Sequence, residues 1–380
     1  MKILIVRSFA QIVNLKTYNL QEIGMAKGLV KQGHICDIVY YNGKNKDKEQ
    51  VLTFEDNVCV KVFWLRGYSI FRDGIMPSLK KLVSQYDKII FDSYNAITSL
   101  WAIKKIPAKC IIYQGPYPSK YTKNYVRKTK IIDKLFYSFI DKNSIHIMTK
   151  SGLAKDFLTQ KGFTNIDVVG VGLNTDSLTN GNIDRKKMDE IISVIEKFKN
   201  NGILGLYIGV LEERRNILFM LDCMKELKRI APYYKLLIIG KGSDEYERKC
   251  QEYIVNKGLE KNVLLIKKVE QAYLKCVYNR ADFFLFPTQY EIYGMVLLEA
   301  MYFGLPVFTT YNGGSSTMIT DSNGIILKNE DALIWAKKIN LIINNAEKRR
   351  NISMEAHRTI EKNFTWEVMT KHIIEVLKQM

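Results

Sequence analysis

The sequence predicts an α/β protein made of two Rossmann-like, doubly wound parallel-sheet domains facing a central cleft. Three observations predict it. Short continuous apolar runs alternate with segments of helical period, the pattern of strands buried on both faces and joined by crossover helices. A polar, turn-rich stretch beginning NTDSLTNGN at Asn174 interrupts that pattern once, and the pattern then starts again. The 380 residues also exceed the roughly 300 that one hydrophobic core organises.

The first strand covers residues 2–6, an unbroken apolar run after Lys2. A helix over residues 20–32 places Ile23, Ala26, Leu29 and Val30 on one stripe and ends at Gly33, as a C′ glycine would. Further strands are expected at 35–40, 60–64, 88–91, 110–113 and 146–149. After the interruption a second set falls at 204–208, 235–239, 263–266, 283–286 and 306–309, and a final helix at 366–378 follows a break at Asn363. The expected domains are therefore 1–173, rejoined by a C-terminal helix at 364–380, and 174–363. Ligands of doubly wound folds bind beyond the carboxyl ends of strands, so functional residues are sought in the loops that follow strands.

Composition bounds the function. No apolar run approaches the roughly 20 residues that span a bilayer, and the N-terminus MKILIVRS lacks a cleavage pattern, so a cytoplasmic protein is expected. Six cysteines are scattered without a Cys-x-x-Cys pair, which reads as reduced and structural. The formal charge of +18 calls for a polyanionic partner or reflects a lysine-rich background, and its clustering decides between them.

Chemistry concentrates in residues 286–319. Glu291 and Glu299 stand eight positions apart, one just before a helix and one inside it. Eight positions at 100° each return to within about 80° of the same side, two turns along. The helix start between them offers backbone amides at Tyr293, Gly294, Met295 and Val296 and a partial positive charge, suited to phosphate or sugar oxygens. Gly294 allows close approach to the backbone. Asn312-Gly313-Gly314-Ser315 forms a second turn after the next strand.

This stretch resembles the donor-binding half of glycosyltransferase family 4: Glu, seven residues, Glu, then Gly304-Leu305-Pro306, a strand and Gly313-Gly314. Tyr207-Ile208-Gly209-Val210-Leu211 with Arg215-Asn216, Ile238 to Ser243, Ala281-Asp282, Gly33-His34 and Asn363-Phe364-Thr365-Trp366 resemble further landmarks. The likeness is strong over 204–325 and weak in the first half. It implies the GT-B fold and a UDP- or GDP-sugar donor, with the sugar transferred under retention and without a metal or other cofactor. It also implies that Glu299 hydrogen-bonds the ribose, Glu291 contacts the donor sugar near the anomeric carbon, and Arg215 takes the place of the lysine that neutralises the diphosphate. Gly209, Arg214 and the helix-start residues complete the expected donor set, with Val269 after strand 263–266. A guanidinium stays charged and binds phosphate in a fork, so Arg215 suits that role.

Besides Arg215, the sequence departs from the family at three places. Val210 stands where an arginine is expected. The N-terminal Gly-Gly loop is replaced by Lys16-Thr17, followed by Tyr18-Asn19, and a His-Gly turn by Gln114-Gly115. Lys16, Thr17, Asn19 and Gln114 are expected to face the cleft or the acceptor, with Gln114 a hydrogen-bonding group that cannot act as acid or base.

The positive charge clusters in residues 119–134, where Lys120, Lys123, Arg127, Lys128, Lys130 and Lys134 face one acid, Asp133. Tyr121, Tyr125, Ile132, Phe136 and Phe139 recur at roughly helical spacing, predicting a basic amphipathic helix on anionic lipid, with Lys123, Arg127, Lys128 and Lys130 in contact. The expected whole is a glycosyltransferase at the inner face of the cell membrane, extending a lipid-linked glycan in surface-polysaccharide synthesis and binding no nucleic acid. The alternatives are a basic binding protein that has lost catalysis on this scaffold, or another GT-B enzyme such as a nucleotide-sugar epimerase.

Overall fold

A computed structural model describes residues 1–15, 20–54, 57–179 and 184–380. The chain divides into two compact units, Met1–Gly172 with Phe364–Met380, and Leu173–Asn363.

The first unit contains strands β1 (Lys2–Val6), β2 (Ile35–Tyr41), β3 (Lys48–Thr53), β4 (Cys59–Leu65), β5 (Tyr68–Ile70), β6 (Asp73–Ile75), β7 (Lys88–Phe91), β8 (Cys110–Gln114), β9 (His146–Thr149) and β10 (Ile166–Val168). Its main sheet has the order β10-β9-β8-β7-β1-β2-β4-β3 and is parallel except for β3 against β4. β3 escapes the sequence reading because KEQVLT is an exposed, polar edge strand. Such a strand buries no face and shows no apolar run. Strands β5 and β6 form a separate antiparallel hairpin.

The helix Gln21–Lys31 covers this sheet, with Met25, Ala26 and Leu29 buried. Gly33 follows it at φ +81°, the left-handed ending that the sequence predicts. The last helix, Trp366–Lys378, packs against Gln21–Lys31. Gly24 and Gly28 make this possible, since a Cβ at either would overlap the Trp366 indole or the Thr370 side chain.

The second unit holds β11 (Ile203–Ile208), β12 (Tyr234–Ile239), β13 (Val263–Ile266), β14 (Phe283–Phe286), β15 (Val307–Thr309) and β16 (Ile325–Ile326), all parallel in the order β13-β12-β11-β14-β15-β16. Phe283, Phe284, Leu285 and Phe286 are completely buried. Each such side chain contributes on the order of 1.5–3 kcal/mol by leaving water.

Candidate active site

In the second sheet the strand order reverses between the neighbours β11 and β14. Crossovers leave these two strands toward opposite sides of the sheet, so the loops that follow them open side by side. Hydrogen bonds stitch the loops together. The Gln289 N–H (2.8 Å) and the Thr288 hydroxyl (3.1 Å) both donate to the Arg214 carbonyl, and the Arg214 guanidinium donates to the Tyr290 carbonyl at 2.8 Å.

Four charges meet at this seam. Arg215, in the short turn Glu213–Arg215, forms an ion pair and hydrogen bond with the Glu291 carboxylate. Its guanidinium lies 5.2 Å from the centre of the Phe286 ring, a cation–π contact. Arg214 lies 2.6 Å from Glu212 and 3.8 Å from Glu291, and Glu212 also lies 3.8 Å from Arg215. Two guanidinium groups and two carboxylates therefore balance. Asn216, at φ 57°, turns the chain from this quartet into the next helix. Asparagine tolerates that left-handed conformation better than most side chains.

Glu291 is held from behind as well. Its second oxygen accepts the Ile292 N–H at 3.0 Å, and its carbonyl accepts the Gly313 N–H at 3.0 Å. The Gly313-Gly314 pair packs so closely on this backbone that a Cβ would overlap the carbonyls of Ile292 and Tyr293. Buried Asn312 shapes the turn, its side-chain oxygen accepting the Gly314 and Ser315 N–H groups at 3.1 Å each. The glycine pair thus buttresses the loop that carries Glu291.

The following helix is Met295–Tyr302, entered through Gly294 at φ 82°. Tyr293 is buried and Met295 and Val296 are half-buried at its first turn, where amides lack intrahelical partners. Glu299 lies inside the helix, only 1% exposed, and its carboxylate accepts the buried Tyr278 hydroxyl at 2.7 Å. Gly209 follows β11, with its N–H bonded to the Ile239 carbonyl at 3.0 Å, and Val210 beside it is half exposed. Val269 is half-buried in the loop after β13. Sequence reasoning missed Tyr278, Glu212 and Thr288. Glu212 was legible as the acid next to the two arginines, whereas nothing in the sequence marks Tyr278 as the partner of Glu299.

In the first unit Lys16, Thr17 and Asn19 lie outside the described residues. Gln114 corrects an expectation. It is fully buried, its amide donates to the Pro116 carbonyl (3.0 Å) and the Tyr125 hydroxyl (2.7 Å), and its oxygen accepts the Tyr94 N–H at 3.3 Å. Those bonds use its amide hydrogens inside the unit and leave it a structural tie, not a sugar contact.

The reversal point of this sheet lies between β1 and β7 and carries charges that the sequence did not single out. The Ser8 N–H donates to Asp92 at 3.0 Å, Arg7 lies 3.4 Å from Glu22, and Lys150 donates to the Gln21 amide oxygen at 2.7 Å. Burial raises the Asp92 carboxyl from 3.8 to about 6, against the opposing Ser8 hydrogen bonds, and burial lowers the Lys150 ammonium.

The basic segment forms the helix Lys123–Leu135, with Lys123, Arg127 and Lys130 exposed. Lys128 is a second correction, because it turns back to pair with Asp73 at 2.9 Å. The apolar stripe also differs from the expected one. Phe136 and Phe139 are exposed, but Ile132 is buried and Tyr121 and Tyr125 are half-buried, while Ile131 and Leu135 face outward. No helix among the described residues is long and apolar enough to cross a membrane, and none of those residues form a cluster of three or more His, Cys, Asp or Glu for a metal.

Residues 188–359 match the family model of glycosyl transferases group 1. Among curated proteins the chain is 26% identical over 230 residues to a capsular polysaccharide biosynthesis glycosyltransferase, CapM, of Staphylococcus aureus, covering 60% of this chain and 57% of that protein. It is 25% identical over 332 residues to an uncharacterized glycosyltransferase of Haemophilus influenzae, covering 86% of each. The first curated relatives are matched over less than two thirds of their own length, 57%, 44% and 65%. Among solved structures, Anabaena HepE in complex with UDP and glucose aligns over the whole of both chains with a TM-score of 0.71 at 16% identity. Sucrose-phosphate synthase of Thermosynechococcus elongatus aligns over 100% of this chain and 99% of its own with a TM-score of 0.70, also at 16% identity. The fold is the GT-B fold of these structures.

Proposed function

We propose, from a second unit whose residues 188–359 match the family model of glycosyl transferases group 1, that this protein transfers a sugar from a nucleoside diphosphate sugar to a glycan acceptor. The observation that carries this reading is the seam after β11 and β14, where Arg215 and Glu291 come together at the start of the helix bearing Glu299. Breaking a glycosyl–phosphate bond leaves new negative charge on the nucleoside diphosphate. Fixed cations and helix-start amides stabilise that charge without reorganising. Arg215, with Arg214 and the amides of Gly294, Met295 and Val296, receives the diphosphate. Glu291 serves the donor sugar near the anomeric carbon, and Glu299 the ribose. Gly209 lets the backbone approach the donor, and Val269 borders it. Transfer proceeds with retention and without a metal.

The acceptor binds the N-terminal unit and is lipid-linked, and the protein works as a peripheral protein at the inner face of the cell membrane in surface-polysaccharide synthesis. Support comes from the likeness to CapM and from Lys123, Arg127 and Lys130, exposed beside Ile131, Leu135, Phe136 and Phe139. Cations next to protruding apolar groups are what an anionic bilayer attracts. The test is hydrolysis or calorimetric binding across UDP- and GDP-sugars, repeated in EDTA. One donor class should bind and be turned over at equal rates with and without chelator. Loss of activity in EDTA would refute the metal-free chemistry. No binding of any nucleotide sugar would leave a basic binding protein on a GT-B scaffold.

A further inference from the structure

We propose that the β5–β6 hairpin, residues 68–75, is a wedge that enters an anionic bilayer, a membrane contact distinct from the basic helix. The inference rests on the membrane-surface part of the proposed function. It starts from a backbone oddity. Phe71 and Arg72 join the two strands with φ of 49° and 69°. A two-residue turn with both central residues left-handed is comfortable for glycine or asparagine and strained for bulky side chains. Fit to the backbone therefore does not account for a phenylalanine and an arginine there, whereas a job for their side chains does.

The side chains at this tip are unusually open to solvent. Phe71 is 84% exposed, with Tyr68 and Ile70 exposed beside it. The loop after β1 runs alongside, through Ala10 N–H to the Arg72 carbonyl (2.9 Å) and Gly74 N–H to the Ser8 carbonyl (2.7 Å), and adds exposed Phe9. Phe9, Ser69 and Arg72 line a shallow hollow of about 310 Å³ there.

The root, by contrast, is fixed. Asp73 is 5% exposed and accepts the Ile97 N–H at 3.2 Å and the Lys128 ammonium at 2.9 Å. Lys128 thereby ties the hairpin to the basic helix. Ile131 and Leu135, three and seven residues on, share its side of that helix. A rigid root under an apolar tip is the form of a wedge.

Charge selects the occupant. Asp73 is the only acid in residues 66–75 and pairs with Lys128, while Asp47 lies against the Arg66 backbone at 2.6 Å, so the cation at the tip is Arg72, next to Phe71 in the turn and lining one hollow with Phe9. Aromatic rings with arginine suit the boundary between headgroups and acyl chains, where the ring enters and the guanidinium stays with lipid phosphate.

The test uses the full chain and vesicles of phosphatidylglycerol with phosphatidylcholine whose acyl chains carry bromine. In Phe71→Trp, these vesicles should quench emission beyond the quenching of the four native tryptophans measured in the parent. Phe71→Gly suits the left-handed backbone, so it should fold, and it should weaken vesicle binding by about tenfold while donor hydrolysis stays at the parent rate. Vesicle binding without added quenching would overturn the wedge and leave the membrane reading intact. A parent protein that binds no vesicles would overturn both. If Phe71→Gly instead abolishes self-association and leaves vesicle binding unchanged, the tip docks on a second copy and the wedge is wrong.

Discussion

Arg215 and Glu291, 76 positions apart in sequence, form an ion pair in which the side chains are 12% and 13% exposed. Each is expected to serve a different part of the donor, yet the free protein spends them on each other. Under the proposed function, donor phosphate would compete with Glu291 for the guanidinium, so the two residues are expected to act as a coupled pair.

Glu291→Gln should lower kcat far more than it weakens binding of the nucleoside diphosphate, because amputating the charge frees Arg215 for phosphate. Arg215→Met should weaken binding of the nucleoside diphosphate more than that of the nucleoside. Each single change removes the nearest opposite charge of a largely buried group, leaving Arg215 with Glu212 at 3.8 Å or Glu291 with Arg214 at 3.8 Å, and should cost on the order of 1–3 kcal/mol of stability, with the double variant costing less than the sum. Steady-state kinetics, calorimetry and urea unfolding read all three. Unchanged turnover in Glu291→Gln removes it from the site.

Glu299→Ala should reduce donor affinity by about 1.5–3 kcal/mol, the worth of a charged hydrogen bond to a ribose hydroxyl. The change also removes the bond that the buried Tyr278 hydroxyl gives Glu299, so a structural effect must be separated from a binding one. Tyr278→Phe makes that separation, since it keeps the carboxylate and should cost less donor affinity than Glu299→Ala. Equal losses in the two variants would mean that Glu299 acts through packing.

Asp92 predicts a pH dependence. Its carboxyl is raised from 3.8 to about 6, so the folded state holds a proton that the unfolded chain has released. Stability linked to this group is therefore present at low pH and falls as pH rises from about 4 through about 6, by no more than about 3 kcal/mol. Asp92→Asn should melt higher than the parent at pH 7.5 and near it at pH 4. A variant that melts lower at pH 7.5 would show that the charged form is favoured by the Ser8 N–H and Lys150.

For the membrane, the informative variant is Lys123→Gln, Arg127→Gln and Lys130→Gln with Lys128 left in place, because Lys128 holds Asp73. It should lose most of its attraction to anionic vesicles at physiological ionic strength, where the screening length is about 8 Å, and resemble the parent at 1 M salt, where it is about 3 Å. Co-sedimentation measures this. Parent-like binding at physiological salt would assign the attraction to another surface.

The motifs after strands were legible because a strand buried on both faces writes itself as an apolar run, and its loop then begins where the run stops. Glu291, Arg215 and the Gly313-Gly314 turn follow such runs and converge as strand order dictates. β3 was not legible because it is exposed and polar, and the hairpin because its strands are only three residues each. Gln114 was misread for a related reason. Its position after an apolar run says that it lies at a strand end, but not that Tyr94, Pro116 and Tyr125 close around it.

By itself the sequence determined the succession of strands and helices, the glutamate pair with its glycine turns, and the clustering of positive charge, because all of these are set by spacing along the chain. Tertiary structure decided which charges are free. Lys128 and Lys130 are indistinguishable in sequence, but one pairs with Asp73, 55 positions away, and the other stays in water. Which helix face turns inward is decided by packing, so Ile131, and not Ile132, meets solvent. The partners of Arg215 and Glu299 are likewise set by contacts between distant segments, and no local pattern encodes those.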